Sequence, residues 1–564
     1  MKPDSKTIDR RSMLVGGAAM GLSGTLVGAS MMSSAATAPA AAPAGSREAI
    51  RGCSTPSTAV AATRYGRVRG YVSHGVFNFK GVPYGDDTGG ENRWLPARPP
   101  KPWNGEYPAL TYGANCPQTL HNFRSIEHTF LQQWTDGFLG EDMLKLNIWT
   151  PSLSGNRPVM VYFHGGGYTF GSSYELASHD GARMAREHDV VQVSVNHRLN
   201  VLGFLDLTQV GGSAYEESVN VSMTDLVASL RWVRENIQHF GGNPDNILIY
   251  GQSGGGSKVT TLLGMPSAKG LIRRAIVQSG GGGNIPDAEH SRELTRVLLK
   301  QLGVGGKDLG ALQKMDWSTL FAAGTRAAEA INGPTEFSIR SIVSPQAKAS
   351  VGWVPTLDGR VIDVRSYFDA APEASRQVPV IFGNVSEEGM SFSQNPSESQ
   401  WREKLRGFLG ESKADALMAA MKKAHPEKAI RTLSYGVDGL YVRNHVMDMV
   451  RMKHALGAAP AYQYHFQWQS PQLDGVAGAW HTAELAFCFD NTQLCEQGTG
   501  DTPEARALAS RMARAWSNFA RTGNPSQPGL EWIASDPQVG QTMVFDNHCR
   551  MENDPEAQAR RILL

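Results

Sequence analysis

The sequence predicts an α/β fold, a central mostly parallel sheet flanked by helices, and three observations carry that prediction. Short apolar runs at 159–163, 190–195, 246–250, 274–278 and 378–382 have the length of buried parallel strands. Helix-like stretches such as 223–240 alternate with them, and that alternation builds parallel sheets. The third observation is the string GQSGGG at 251–256, which sets Ser253 on a glycine turn directly after the run Ile247, Leu248, Ile249, Tyr250. Composition agrees: 564 residues at 41% apolar content can bury a large core. Basic and acidic residues balance, 54 against 53, so no basic face for nucleic acid is expected, and there are no repeats or heptads.

In chain order, residues 1–45 stand apart. Arg10 and Arg11 open a twin-arginine signature, followed by the mildly apolar run 13–32 and an Ala/Pro-rich stretch to Ala44. This reads as an export signal and linker, cut after Ala40, of a protein bound for a bacterial periplasm or the medium. Five glycines in the apolar run weaken it as a membrane span, so no stable span is expected.

The run at 159–163 leads into His164, Gly165, Gly166 and Gly167. Consecutive glycines after a strand expose bare N–H groups, the donors that an oxyanion needs. No Lys-Ser/Thr pair follows, which argues against a phosphate loop. Strand, sharp turn, serine, helix is the layout of a nucleophile elbow, and side chains at Gly251 and Gly255 would collide with the neighbouring strand and helix. Ser253 is therefore the candidate nucleophile, with the N–H groups of Gly166, Gly167 and Gly254 as oxyanion donors.

A serine needs a base, and the base an orienting carboxylate, in the chain order serine, acid, histidine. Glu387 and Glu388 follow the run at 378–382, and His481 lies in AGAWHTAELAF on a loop entering an apolar segment. Segments 286–345 and 395–457 are helix-rich and interrupt the strand series; they read as lid-like walls over a gorge. No metal or organic cofactor is needed for such chemistry, and none of the five cysteines has zinc-ligand spacing.

Six further segments resemble the type-B carboxylesterases, the family of serine esterases that includes cholinesterases and the adhesion protein neuroligin. They are FKGVPYG from Phe79, RWLPARPPKPWNG from Arg93, GEDMLKLNIWTP from Gly140, VNHRLNVLGFL from Val195, LRWVRENIQHFGGNP from Leu230 and ARTGNP from Ala520. The resemblance implies one α/β-hydrolase domain over 46–564 and hydrolysis of small-molecule carboxylic esters, with carbamates, amides or lactones as the alternative; a non-catalytic binding role is the remote one. It implies Ser253 as nucleophile, Glu388 as acid because it precedes Gly389, His481 as base, and Ser279 as a serine near the triad. Glu387 is expected to be a solvated neighbour. Oligomeric state is not implied.

Three departures from the family pattern stand out. Gln252 replaces the glutamate that many relatives carry before the nucleophile, so the acidic limb of activity is expected at lower pH than in those relatives. Met143 replaces a cysteine that pairs, in animal members, with one matching Cys116. Among the five thiols, Cys53 with Cys116 and Cys488 with Cys495 are the pairings considered, with connectivity left open. After Ser279 the run Gly280, Gly281, Gly282, Gly283 stands where cholinesterases have bulky residues, so a roomy acyl pocket is expected. Trp134 is expected to serve apolar packing.

Overall fold

Residues 52–119, 126–305, 308–332, 352–389 and 395–564 are described by the structure, a computed structural model; the expected export signal and residues 306–307 and 333–345 of the first expected helical segment lie outside them. Every position of Lys145–Thr150, Val191–Val195, Arg274–Gln278, Val380–Val385 and Ala461–Phe466 is buried. Strands covered on both faces have no solvent side, so apolar residues dominate them, and the polar ones they contain, such as Asn147, Gln192 and Gln463, are buried with hydrogen-bond partners.

Among the described residues, twelve strands form one sheet. In spatial order they are Cys53–Ser54, Tyr71–Ser73, Val76–Pro83, Lys145–Thr150, Val191–Val195, Arg157–Phe163, Gly242–Gln252, Arg274–Gln278, Val380–Val385, Ala461–Phe466, Gln541–Phe545 and Arg550–Asn553. From Val191–Val195 to Gln541–Phe545 all pairings are parallel, and the remaining pairings, towards the two edges, are antiparallel. All five expected strands are present in the parallel part. The expected helix 223–240 is Val221–Asn236 continued by a tight turn, Ile237–Phe240.

Side chains alternate across the sheet. Val159, Val161, Phe163, Ile247 and Ile249 enter one apolar core, while Met160, Tyr162, Leu248 and Tyr250 enter the other. The helix-rich segments contain Ala288–Leu302, Leu309–Lys314 and Trp317–Asn332, then Glu398–Leu409, Glu411–Ala424 and Ile430–Leu456. The last of these lies against Val380–Val385 and Ala461–Phe466, so it flanks the sheet.

All five cysteines are free thiols; Cys53 is exposed and Cys116 buried. Cys116 Sγ instead accepts a hydrogen bond from the Leu199 N–H at 3.2 Å, and Met143 is buried in the same core. Among the described residues, no helix is long and apolar enough to cross a membrane.

Candidate active site

Ser253 sits between Gly242–Gln252 and the helix Gly254–Gly264 with φ 58° and ψ −124°. A non-glycine residue at positive φ is strained, and here it turns the side chain away from both flanking elements. The turn is tied down by Ser253 N–H donating to Gln278 O at 2.8 Å, while Ser253 O accepts from Ser257 N at 3.1 Å. A Cβ on Gly251 would stand 2.6 Å from the Gly255 carbonyl carbon and from Phe163 O. Only glycine allows strand and helix to approach that closely.

The glycine loop after Arg157–Phe163 folds back over this turn. Gly166 and Gly167 have φ of 82° and 56°. A Cβ on Gly254 would lie 2.5 Å from the Gly167 nitrogen, so the amides at the helix start and in the loop stand side by side. Gly254 opens its helix, and first-turn N–H groups have no intrahelical acceptor.

His481 and Glu388 meet beyond Val380–Val385 and Ala461–Phe466, the second and third strands along the sheet from Gly242–Gln252. His481 Nδ1 donates to Glu388 Oε2, and Val385 N–H donates to Glu388 Oε1 at 3.2 Å. Both side chains are buried. Gln252 Nε2 lies 3.4 Å from His481 Nδ1 and 3.2 Å from its Nε2. Ser253, His481, Gln252 and Gly166 line one cavity, walled by Trp134, Tyr162, Phe170, Leu176 and Leu485. Close by, burial first and the Glu388 charge second push the fully buried Glu484 carboxyl up to about 8.

Several expectations need correcting. Glu387 is 2% exposed, so it is no solvated neighbour. Its Oε1 accepts from Lys428 Nζ at 2.7 Å and its Oε2 from Ala479 N–H at 2.7 Å, while its own N–H donates to Ala479 O at 3.1 Å. Glu387 therefore fastens the Glu388 loop to the His481 loop. The glycine run does not open a pocket either. A Cβ on Gly281 would meet Thr260 and Val277 at 2.8 Å, one on Gly282 would meet His445 Nε2 at 2.8 Å, and one on Gly280 would strike Ser253 O. Of the four, only Gly283 faces open space. Trp134 does pack against an apolar core, as expected, and forms part of the cavity wall as well. None of the described residues of 286–345 or 395–457 lines that cavity. Ser279 is buried at the end of its strand, its N–H donating to Gly383 O at 2.8 Å, and its hydroxyl bonds to no triad side chain.

Sequence reasoning missed Lys258, on the helix that follows Ser253. Fully buried, its Nζ donates to His164 O at 2.7 Å and to Gly165 O at 3.4 Å. Burial pulls the ammonium down to about 7, with the Glu175 carboxylate opposing the fall. Burial likewise drives His164 well below its ordinary value, with the Lys258 charge adding to it, so the imidazole behind the loop is neutral. A lone basic residue in the apolar string GGGSKVTTLLG was the available signal.

A parallel sheet bearing a serine on a strained strand-to-helix turn, a glycine loop beside it and an acid–histidine pair at the neighbouring strand ends defines the α/β-hydrolase class. The profile of the carboxylesterase family matches residues 57–562. The chain belongs to that family and is a carboxylic ester hydrolase. It is 31% identical over 507 residues to the para-nitrobenzyl esterase of Bacillus subtilis, covering 89% of this chain and 98% of the relative. It is 32% identical over 501 residues to the phenmedipham hydrolase of Pseudarthrobacter oxydans, covering 85% and 94%. A Clostridium hathewayi esterase described as hydrolysing aliphatic aromatic polyesters superposes with a TM-score of 0.76 at 32% identity, covering 90% of this chain and 98% of that one.

Proposed function

We propose that this enzyme hydrolyses carboxylic esters through an acyl-enzyme on Ser253. Ser253 Oγ attacks the ester carbonyl while His481 takes its proton, and the N–H groups of Gly166, Gly167 and Gly254 hold the oxyanion. The alcohol leaves with a proton from His481. Water activated by the same imidazole then releases the acid, and Glu388 holds the ring in the tautomer that keeps Nε2 free to act. The observation that carries this reading is the Glu388–His481 hydrogen bond beside a serine on a positive-φ turn, the three residues standing beyond the carboxyl ends of parallel strands. The cavity wall of Trp134, Tyr162, Phe170 and Leu176 favours apolar ester groups.

The test is hydrolysis of p-nitrophenyl esters from acetate to decanoate by the mature protein and its Ser253→Ala variant. A burst of p-nitrophenol that the variant loses, with turnover falling by about 10⁴-fold or more, is the expected result. A variant that keeps the burst would place the nucleophile elsewhere.

We further propose that residues 1–40 direct twin-arginine export and are then removed, on the strength of Arg10, Arg11 and the apolar run behind them. N-terminal sequencing of protein recovered from the periplasm or medium should begin at Ala41. Retention of the whole chain in the cytoplasm would overturn this.

A further inference from the structure

We propose that Lys258 is a positioning residue for the oxyanion hole, its ammonium holding and polarising the peptide unit whose N–H group is the Gly166 donor. This rests on the assignment of Gly166, Gly167 and Gly254 as oxyanion donors. The carbonyl of Gly165 and the N–H of Gly166 belong to one planar, conjugated peptide unit. A cation that draws electron density onto the oxygen leaves the N–H more positive, and bonded amides polarise one another most where the dielectric is low. Lys258 Nζ reaches Gly165 O at 3.4 Å and the preceding carbonyl, His164 O, at 2.7 Å, so it grips two consecutive units from behind.

The placement is rigid. Lys258 and Gly254 share the helix Gly254–Gly264, so one element carries both an oxyanion donor and the cation that backs the others. The groups facing the ammonium are the two stacked imidazoles of His164 and His197, the Tyr168 ring at 5.7 Å and the Glu175 carboxylate. Burial drives both imidazoles well below their ordinary values, so the ammonium is the cation behind the loop. A glutamine amide, with two N–H donors, could meet both carbonyls without burying a charge, and taking an ion out of water is costly. A buried charge retained at that cost, one helical turn from the nucleophile, fits a task at the transition state.

The experiment compares Lys258→Met, Lys258→Gln and Lys258→Arg with the unaltered enzyme at mildly acidic pH, using p-nitrophenyl butyrate and two inhibitors. One inhibitor is an alkyl trifluoromethyl ketone, which accepts Ser253 Oγ at its carbonyl carbon, moves the carbonyl electron pair onto oxygen and so places an oxyanion in the hole. The other is the matching methyl ketone, which stays trigonal. In Lys258→Met and Lys258→Gln, kcat should fall on the order of tenfold, short of the roughly 10²–10³ lost with a whole donor. Affinity for the trifluoromethyl ketone should fall in proportion, while KM and methyl ketone affinity stay within about twofold. Lys258→Arg should regain part of both losses. Unchanged kcat, or a loosening of both ketones and KM in step, would overturn the proposal, as would failure of both neutral variants to fold. Turnover surviving in Ser253→Ala would instead overturn the active-site assignment, whatever Lys258 does.

Discussion

At His481 the local chemistry is set by which neighbours carry charge. The Gln252 amide stands within 3.4 Å of both ring nitrogens and brings no charge. Glu484, held up to about 8, is a neutral acid at neutral pH, so it does not compete with Glu388 as a counter-charge. That neutrality has a thermodynamic signature. The folded value lies above the ordinary 4.5, so the unfolded chain ionises first as pH rises. The stability that Glu484 contributes is full below 4.5 and is lost as pH rises through about 8. Urea denaturation at about pH 5 and about pH 8 should show a loss of a few kcal/mol, and Glu484→Gln should flatten that difference because its amide cannot ionise. An unchanged slope in the variant would mean that Glu484 is charged in the folded protein.

Two loops and one helical segment form the unit that presents Glu388 and His481. Glu387 joins the loops through paired backbone and side-chain bonds to Ala479, and Lys428 neutralises it from the connector before Ile430–Leu456. The pair is nearly sealed, with side chains 6% and 2% exposed. Burial lowers the Lys428 ammonium, but the Glu387 and Glu556 charges outweigh this and leave it raised. Lys428→Met should cost about 3–5 kcal/mol, because the Glu387 carboxylate is then buried without a counter-charge. Adding Glu387→Gln should recover much of the loss, and the denaturation free energies of the two single variants and the double variant check this. Equal losses in the single and double variants would show that the stem of Lys428 matters and its charge does not.

The same elements show what was legible beforehand. Val191–Val195 and Arg274–Gln278 could be read because aliphatic residues mark them, three valines around Gln192 and Ser194 in one and Ala275, Ile276 and Val277 in a row in the other. Ala461–Phe466 escaped because it has no Val, Ile or Leu; its Gln463 and His465 are buried through bonds to Ser535 and Glu556, distant in sequence. Ser253 and the oxyanion glycines were visible because a turn and a glycine loop are local sequence events. Glu387 and Lys258 were misread or missed for the opposite reason, their surroundings being supplied by Lys428 and Ala479 in one case and by His164 in the other.

Seen as a whole, the molecule places the proposed catalytic residues after three strands of one sheet, Ser253 after Gly242–Gln252, Glu388 after Val380–Val385 and His481 beyond Ala461–Phe466. Parallel neighbours are joined by long connections, and such non-local pairings form slowly. Recovery of ester hydrolysis after dilution from urea should therefore lag behind the recovery of tryptophan fluorescence, since rings can pack before the last strands take their register. Simultaneous recovery would show that the sheet closes in one step.

Strand order also dictates when a growing chain becomes dangerous to the esters around it. On the proposed roles, Ser253 and its glycine cradle are synthesised long before the His481 that would activate the serine, and His481 lies beyond the strand Ala461–Phe466. A chain still on the ribosome, or one clipped short of that strand, carries a loaded spring without a trigger. Hydrolysis is in this sense a certificate that the far side of the sheet has arrived.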